Sequence, residues 1–406
     1  MKILFLLQKL KKILEICDCD LQKSCRFNES HYFYTVQFST VIGQGELKHH
    51  LIHEVRDGKI SHAQLFLGKP GYGSLPLALA FVQYLFCENK SEKDSCGVCA
   101  SCRKVTELQH PDLHFSFPTV LAIAKKSDAF INDWRTQVKE NPYFNIHDWT
   151  KRIDSQERKP IIGVDESLEI VKKLNLKSFE GGYKVMIIWM AEEMNADCAN
   201  KLLKILEEPT PKTLFILLAE SQDKLLTTIL SRTQIVRIPM LSSDTIQQTL
   251  IAQGVTADLA ASVAGRSDGD FLESLHLLGD PHESDLNRDL FIQLMRVCFK
   301  KDVRGMLDWT DAIATQTREG QKQFLKYALH MVRQSILKNY TQEMLTRVSA
   351  EEADFLKNFA RFITNNNVLD FMQLFNDSHY HLERNAHAKL LFTQLCFQVM
   401  RFIHKA

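Results

Sequence analysis

Four cysteines carry the most specific chemistry in this chain: Cys87, then Cys96, Cys99 and Cys102 in the run Cys96-Gly-Val-Cys-Ala-Ser-Cys102. Two overlapping Cys-x-x-Cys steps let the backbone turn so that thiolates converge, and Cys87 supplies a fourth corner. Four soft sulfur donors suit a tetrahedral zinc ion with Zn–S near roughly 2.3 Å, and with no open position such a site is structural. Disulfides, disfavoured in a reducing cytosol, and an iron–sulfur cluster, which also takes four thiolates, are the competing readings; the expectation is one structural zinc. A second candidate is Gly68-Lys-Pro-Gly-Tyr-Gly-Ser-Leu75, which follows an apolar run and leads into a helical pattern. Strand, glycine loop and helix N-terminus form the context in which backbone N–H groups cradle a phosphate. Aligning Gly68 and Gly73 on the working pattern, with Gly71 between them, puts Ser74 where the phosphate-binding lysine belongs and Leu75 where a magnesium-binding hydroxyl belongs. Lys69 sits on the other side of the loop and does not replace the lysine. The strand expected to carry magnesium-holding carboxylates ends in Trp189-Met190, with Glu192 and Glu193 beyond it on the following loop. Gly68, Gly71, Gly73 and Ser74 therefore mark a degenerate loop, and ATP binding by this chain is not expected.

The elements that would position these residues follow from periodicity. Short apolar runs alternate with helical patterns from Thr35 to about Ile238, which predicts a parallel sheet with helices on both faces. Ala63–Leu67, Lys184–Ile188, Thr213–Leu218 and Gln234–Ile238 read as strands, and Pro76–Phe86 and Ala196–Leu206 as helices, the second stopped by Pro209. After Pro239 the apolar spacing is helical almost throughout: three short helices (Asp244–Gln253, Ala257–Ala264, Phe271–Leu278), the Gly279-Asp-Pro281 breaker, then longer helices such as Gly320–Asn339 and Ala386–Ile403. Residues 122–160 read as an irregular polar insertion dotted with aromatics (Phe130, Trp134, Tyr143, Phe144, Trp149).

Composition bounds the function. The 406 residues are 45% hydrophobic and 24% charged with a net charge of +1, which excludes a generally basic phosphate-binding surface. No apolar run is long enough to span a bilayer. Residues 1–35 read as an amphipathic or poorly ordered extension, or as lying ahead of the true start. The apolar run Ile3–Leu7 is broken by Gln8, Lys9, Lys11 and Lys12 too early for a secretory signal. The expected location is cytoplasmic.

Taken in order, Val41-Ile-Gly-Gln44, Ser61-His-Ala63, the degenerate loop and the four cysteines are followed by His110-Pro-Asp112 and by Phe179-Glu-Gly181 before Tyr183-Lys-Val185. Asn200-Lys-Leu-Leu-Lys-Ile-Leu-Glu-Glu-Pro209 and Ser231-Arg232 complete a set that resembles the bacterial DNA polymerase III clamp-loader family, and within it the delta-prime branch. The resemblance spans about residues 36–240. It implies an AAA+ P-loop module over 36–239 containing the zinc excursion (87–102) and the insertion (122–160), a helical lid over 240–281, and an all-α collar over 282–406. It also implies a five-membered ring with gamma/tau and delta subunits, acting with a sliding clamp and primed DNA. Ser231-Arg232, with Thr233 in place of the family's cysteine, would reach the neighbouring subunit's nucleotide; Arg232 would be a trans arginine finger, a contribution worth about three orders of magnitude in rate. In the lid, Gly269 of Arg266-Ser-Asp-Gly-Asp-Phe271 stands where active members carry a nucleotide-sensing arginine. Losses confined to the cis site favour an inert delta-prime-like member; the alternative is an ATP-hydrolysing gamma/tau-type subunit. A third reading, the cysteine module as a free-standing nucleic-acid binder, is disfavoured because no aromatic–basic interleaving surrounds it; Arg103 and Lys104 read as solvated charges.

Overall fold

Strands buried on both faces read as near-continuous apolar runs, and three runs fit: β1 (Ala63–Leu67), β3 (Lys184–Trp189) and β4 (Thr213–Ala219), every residue of which is buried, with Gln64, Lys184 and Thr213 the only polar members. In the computed structural model, which describes residues 36–279, 281–340 and 350–405, they form the middle of a five-stranded parallel sheet. The strand order is β2-β3-β4-β1-β5, with β5 (Gln234–Arg237) on one edge and β2 (Leu113–Ser116) on the other. β2 was not expected: four residues that include a histidine and a serine carry too little apolar signal. It is fixed by register against β3, Leu113 opposite Val185 and Phe115 opposite Ile187. The first 35 residues, with Cys17, Cys19 and Cys25, lie outside the described residues.

Alternation along the strands feeds two cores. Phe66, Val185, Ile187, Leu214 and Ile216 face one, with helices α1 (Gly45–Asp57) and α2 (Ser74–Phe86). Ala63, Leu65, Met186, Ile188, Phe215 and Leu217 face the other, with α6 (Val164–Asn175) and α7 (Ala196–Glu207). Each aliphatic side chain buried in this way contributes roughly 1.5–3 kcal/mol. The short helix α3 (Ala100–Thr106) follows the cysteine run. His62 fixes the end of α7 by bonding the Leu206 carbonyl at 2.9 Å, which gives the Ser61-His62 pair before β1 a structural task.

The insertion is not irregular. A single antiparallel bridge, Thr119 with Ile161, closes its base, and it holds helices α4 (Ile131–Glu140) and α5 (Ile146–Ile153). A capping box starts α5: Asn145 Oδ1 accepts from the His147 and Asp148 N–H groups, and Asp148 accepts from the Asn145 N–H. Trp134, Val138, Trp149 and Ile153 turn into the first core.

The described chain divides into two units. One runs to Gly254 and takes in α8 (Thr227–Leu230), α9 (Ser243–Ala252) and the segment Gly269–Glu273. The other comprises Val255–Asp268 and Ser274 onward. It is helical: α10 (Ala257–Arg266), most of α11 (Phe271–Gly279), α12 (Pro281–Lys300), α13 (Val303–Ala314), α14 (Arg318–Tyr340), α15 (Ala350–Phe359), α16 (Val368–Glu383) and α17 (Ala388–Ile403). Its core is aromatic-rich, with Phe291, Trp309, Phe324, Phe371, Phe375 and Phe392 buried together.

Candidate functional site

The four cysteines converge as their spacing predicts, with the sulfurs of Cys87, Cys96, Cys99 and Cys102 all within 4.8 Å of one another. Cys99 caps α3, its sulfur accepting from the Cys102 N–H at 3.4 Å, while the Cys96 sulfur accepts from the Cys99 N–H and the Cys87 sulfur from the Cys96 N–H. Cys96 and Cys102 are 3.9 Å apart, nearly twice a disulfide bond. That distance is close to the edge, about 3.8 Å, of a tetrahedron whose corners lie 2.3 Å from its centre. Backbone N–H groups of Val98 and Cys99 lower Cys96 to about 6, whereas burial pushes Cys87 and Cys102 up. A cation at the centre would deprotonate the remaining thiols. The donor set therefore fits one metal ion.

Glu180 ties this cluster to the module. Its carboxylate accepts from Ser101 of α3 and pairs with Lys104 at 2.5 Å and with the buried His110 ring at 3.0 Å. Asp112, in turn, holds the Phe179 and Glu180 N–H groups at 2.7 and 2.9 Å. His110-Pro-Asp112 and Phe179-Glu-Gly181 are thus two halves of one clamp, and Lys104 is engaged in it rather than free in solvent. Burial holds His110 below the usual imidazole range, partly offset by Glu180.

The phosphate loop has the expected strand–loop–helix setting but is turned in on itself. Pro70–Tyr72 forms a 3-10 turn in which the Tyr72 N–H bonds the Lys69 carbonyl and the Gly73 N–H the Pro70 carbonyl. Gly68 leaves no room for a side chain, since a Cβ there would lie 2.8 Å from the Ile238 carbonyl oxygen. At Gly71 a Cβ would fall 1.7 Å from the Asp270 carboxylate. A carboxylate this close to the loop adds negative potential that disfavours an anion beside it. Tyr143 of the insertion lies over Gly73, accepts from the Ile42 N–H at 3.1 Å and packs edge-on to Phe271. Gln44 links the loop to the Val41–Gln44 segment through the Tyr72 and Pro239 carbonyls. Ser74 and Leu75 are buried at the start of α2, and Lys69 lies over the Tyr72 ring.

Where carboxylates would hold magnesium, Trp189 ends β3 and is packed between Trp134 and Phe144 of the insertion at 5.3 and 4.8 Å between ring centres. Met190 turns with a positive φ of 56°, and Glu192 and Glu193 follow in a 3-10 turn. Glu192 accepts from the Glu220 N–H at 2.7 Å, and burial raises it to about 7; Glu193 pairs with Lys159. Gly269 explains its own departure from arginine: at φ +77° any Cβ would be 2.6 Å from the Leu241 carbonyl oxygen.

Ser231 and Arg232 follow α8 at the surface. Arg232 Nη1 donates to the Thr228 carbonyl at 2.8 Å and to Ser231 Oγ at 3.2 Å, and Nε donates to Glu207 Oε1 at 2.6 Å. Glu180 lies in the Phe179-Glu-Gly181 run, Glu207 in Asn200–Pro209, Tyr143 among the insertion's aromatics and Asp270 in Arg266–Phe271, yet nothing local in the chain announces their partners: Glu207 lies 25 residues from its arginine.

Residues 43–242 match the family model described as DNA polymerase III, delta subunit. The DNA polymerase III subunit delta' of Bacillus subtilis (strain 168) is 29% identical over 218 residues, 54% of this chain and 54% of that protein. The subunit delta' of Escherichia coli (strain K12) is 29% identical over 45% of this chain and 43% of its own length. The subunit tau of Bacillus subtilis (strain 168) is 27% identical over 61% of this chain and 38% of its own. The chain thus spans about half the length, or less, of the curated relatives it matches. No helix among the described residues is long and apolar enough to cross a membrane.

Proposed function

Because residues 43–242 are related to the delta-prime and tau subunits of bacterial DNA polymerase III, we propose that this chain is a delta-prime-like member of a clamp loader. It does not hydrolyse ATP itself and lends Arg232 to the nucleotide site of a neighbouring gamma/tau-type subunit. The carrying observation is an asymmetry: Asp270 and Tyr143 fill the cis loop and Trp189 takes the place of its carboxylate, while Ser231-Arg232 remains at the surface. A guanidinium placed on a transferring phosphoryl group neutralises the charge that develops there. The chain would act in the cytoplasm with gamma/tau and delta subunits in a five-membered ring, an AAA+ module and helical lid (240–281) anchored by a helical collar (282–406). The ring would place a sliding clamp on primed DNA.

The cysteine cluster would hold structural zinc. Sulfurs within 4.8 Å leave room for one central ion rather than an iron–sulfide core, and such a site contributes folding energy to an excursion too small for its own core. Magnesium-dependent ATPase of the purified chain tests the central reading. Background turnover is expected; turnover typical of a motor subunit would favour the gamma/tau alternative.

A further inference from the structure

A guanidinium has two usable edges, and Arg232 commits them differently. The Nη1 side is tied to the end of α8, through the Thr228 carbonyl and Ser231 Oγ. The opposite edge, Nε and Nη2, lies on the carboxylate of Glu207. That second edge has the fork geometry that binds a carboxylate or a phosphate, but not both at once. Glu207 is the last residue of α7, held in place by the burial of Leu202, Ile205 and Leu206 against the sheet. A negative charge at a helix C-terminus works against the helix dipole, so Glu207 is badly placed for the helix and well placed for the arginine. Both side chains are partly exposed, 30% for Arg232 and 45% for Glu207. Water and a stronger anion therefore compete for the pair.

Resting on the reading of Arg232 as a trans finger, we propose that Glu207 is a placeholder for the neighbour's terminal phosphate. It holds the Nε–Nη2 edge while the adjacent nucleotide site is empty and gives that edge up when a nucleoside triphosphate arrives. The Thr228 carbonyl and Ser231 keep the arginine aimed during the exchange. Glu207 is a positioning residue: it touches no substrate, and it sets how much of the arginine is free to engage.

The test uses the loader reconstituted with the gamma/tau-type and delta-type subunits of the same organism, with MgATP, clamp and primed DNA. Four versions of this chain are compared: wild type, Glu207→Gln, Arg232→Ala and the double variant. Removing the competing charge should lower the KM for ATP about two- to fivefold, the range of an exposed ion pair, with kcat unchanged. In the Arg232→Ala background Glu207→Gln should change neither constant. An unchanged KM for Glu207→Gln on the wild-type background, or the same change on both backgrounds, overturns the placeholder role while leaving the finger intact. If Arg232→Ala alone alters neither constant, the finger reading fails and this proposal falls with it.

Discussion

Glu192 sits just beyond the strand end where a magnesium-binding acid would be expected, and replacing it by glutamine separates a buried structural carboxyl from a cation ligand. Burial lifts its pKa from 4.5 to about 7. Between those values the folded chain holds a proton that the unfolded chain has lost, so this group makes stability fall as pH rises through the window. At 1.36 kcal/mol per pKa unit the full penalty is about 3 kcal/mol, reached above pH 7 and absent below pH 4.5. Glutamine keeps an acceptor for the Glu220 N–H and replaces Oε2, which has no hydrogen-bond partner, with a neutral group. Glu192→Gln should therefore be more stable than the wild type by about 3 kcal/mol near pH 8, with the gain closing toward zero at pH 4.5. Urea denaturation followed by tryptophan emission reads this out, because Trp134, Trp149 and Trp189 all lie in the same core. A gain independent of pH, or a variant weaker than wild type at pH 8, would refute the reasoning. A carboxylate engaged by a cation has a lowered pKa, not a raised one.

Other outcomes follow from the same geometry. The untagged protein should contain one zinc per chain, and Cys87→Ser should lose it and loosen 87–102, read by metal analysis and hydrogen exchange, while the helical unit stays protected. Gly71→Ala should cost about 1–3 kcal/mol from overpacking, part of it recovered by Asp270→Ala, since the added methyl meets that carboxylate; a thermal-melt cycle of the four proteins measures the coupling. Ser74→Lys should not create magnesium-dependent ATPase, because Trp189 and Met190 still offer no carboxylate and Tyr143 still covers Gly73.

What was legible in the sequence was local. The cysteine spacing predicted the convergence of four sulfurs, and largely apolar runs marked β1, β3, β4 and the strand–loop–helix setting of Gly68–Leu75. β2 escaped because its strand character comes from pairing with β3 rather than from its own residues. The insertion read as irregular although Ile146, Trp149, Thr150 and Ile153 have helical spacing, because the helix is only eight residues long and too short for a clear periodic signal. The residues that close the phosphate loop were invisible for a different reason. Tyr143 and Asp270 reach it across about 70 and 200 positions of chain, and a single sequence carries no signal for such meetings. The same holds for Glu207 and Arg232.

On the proposed reading, this chain acts on ATP only through a neighbour, by way of Arg232. The direct measurement is the clamp- and DNA-stimulated ATPase of the reconstituted loader carrying Arg232→Ala, with ring assembly checked by mass. A normally assembled ring should lose part of its stimulated hydrolysis, the share of the one site this arginine serves. An assembled ring that hydrolyses ATP and loads clamps at the unaltered rate would contradict this reading and leave the chain a structural member alone.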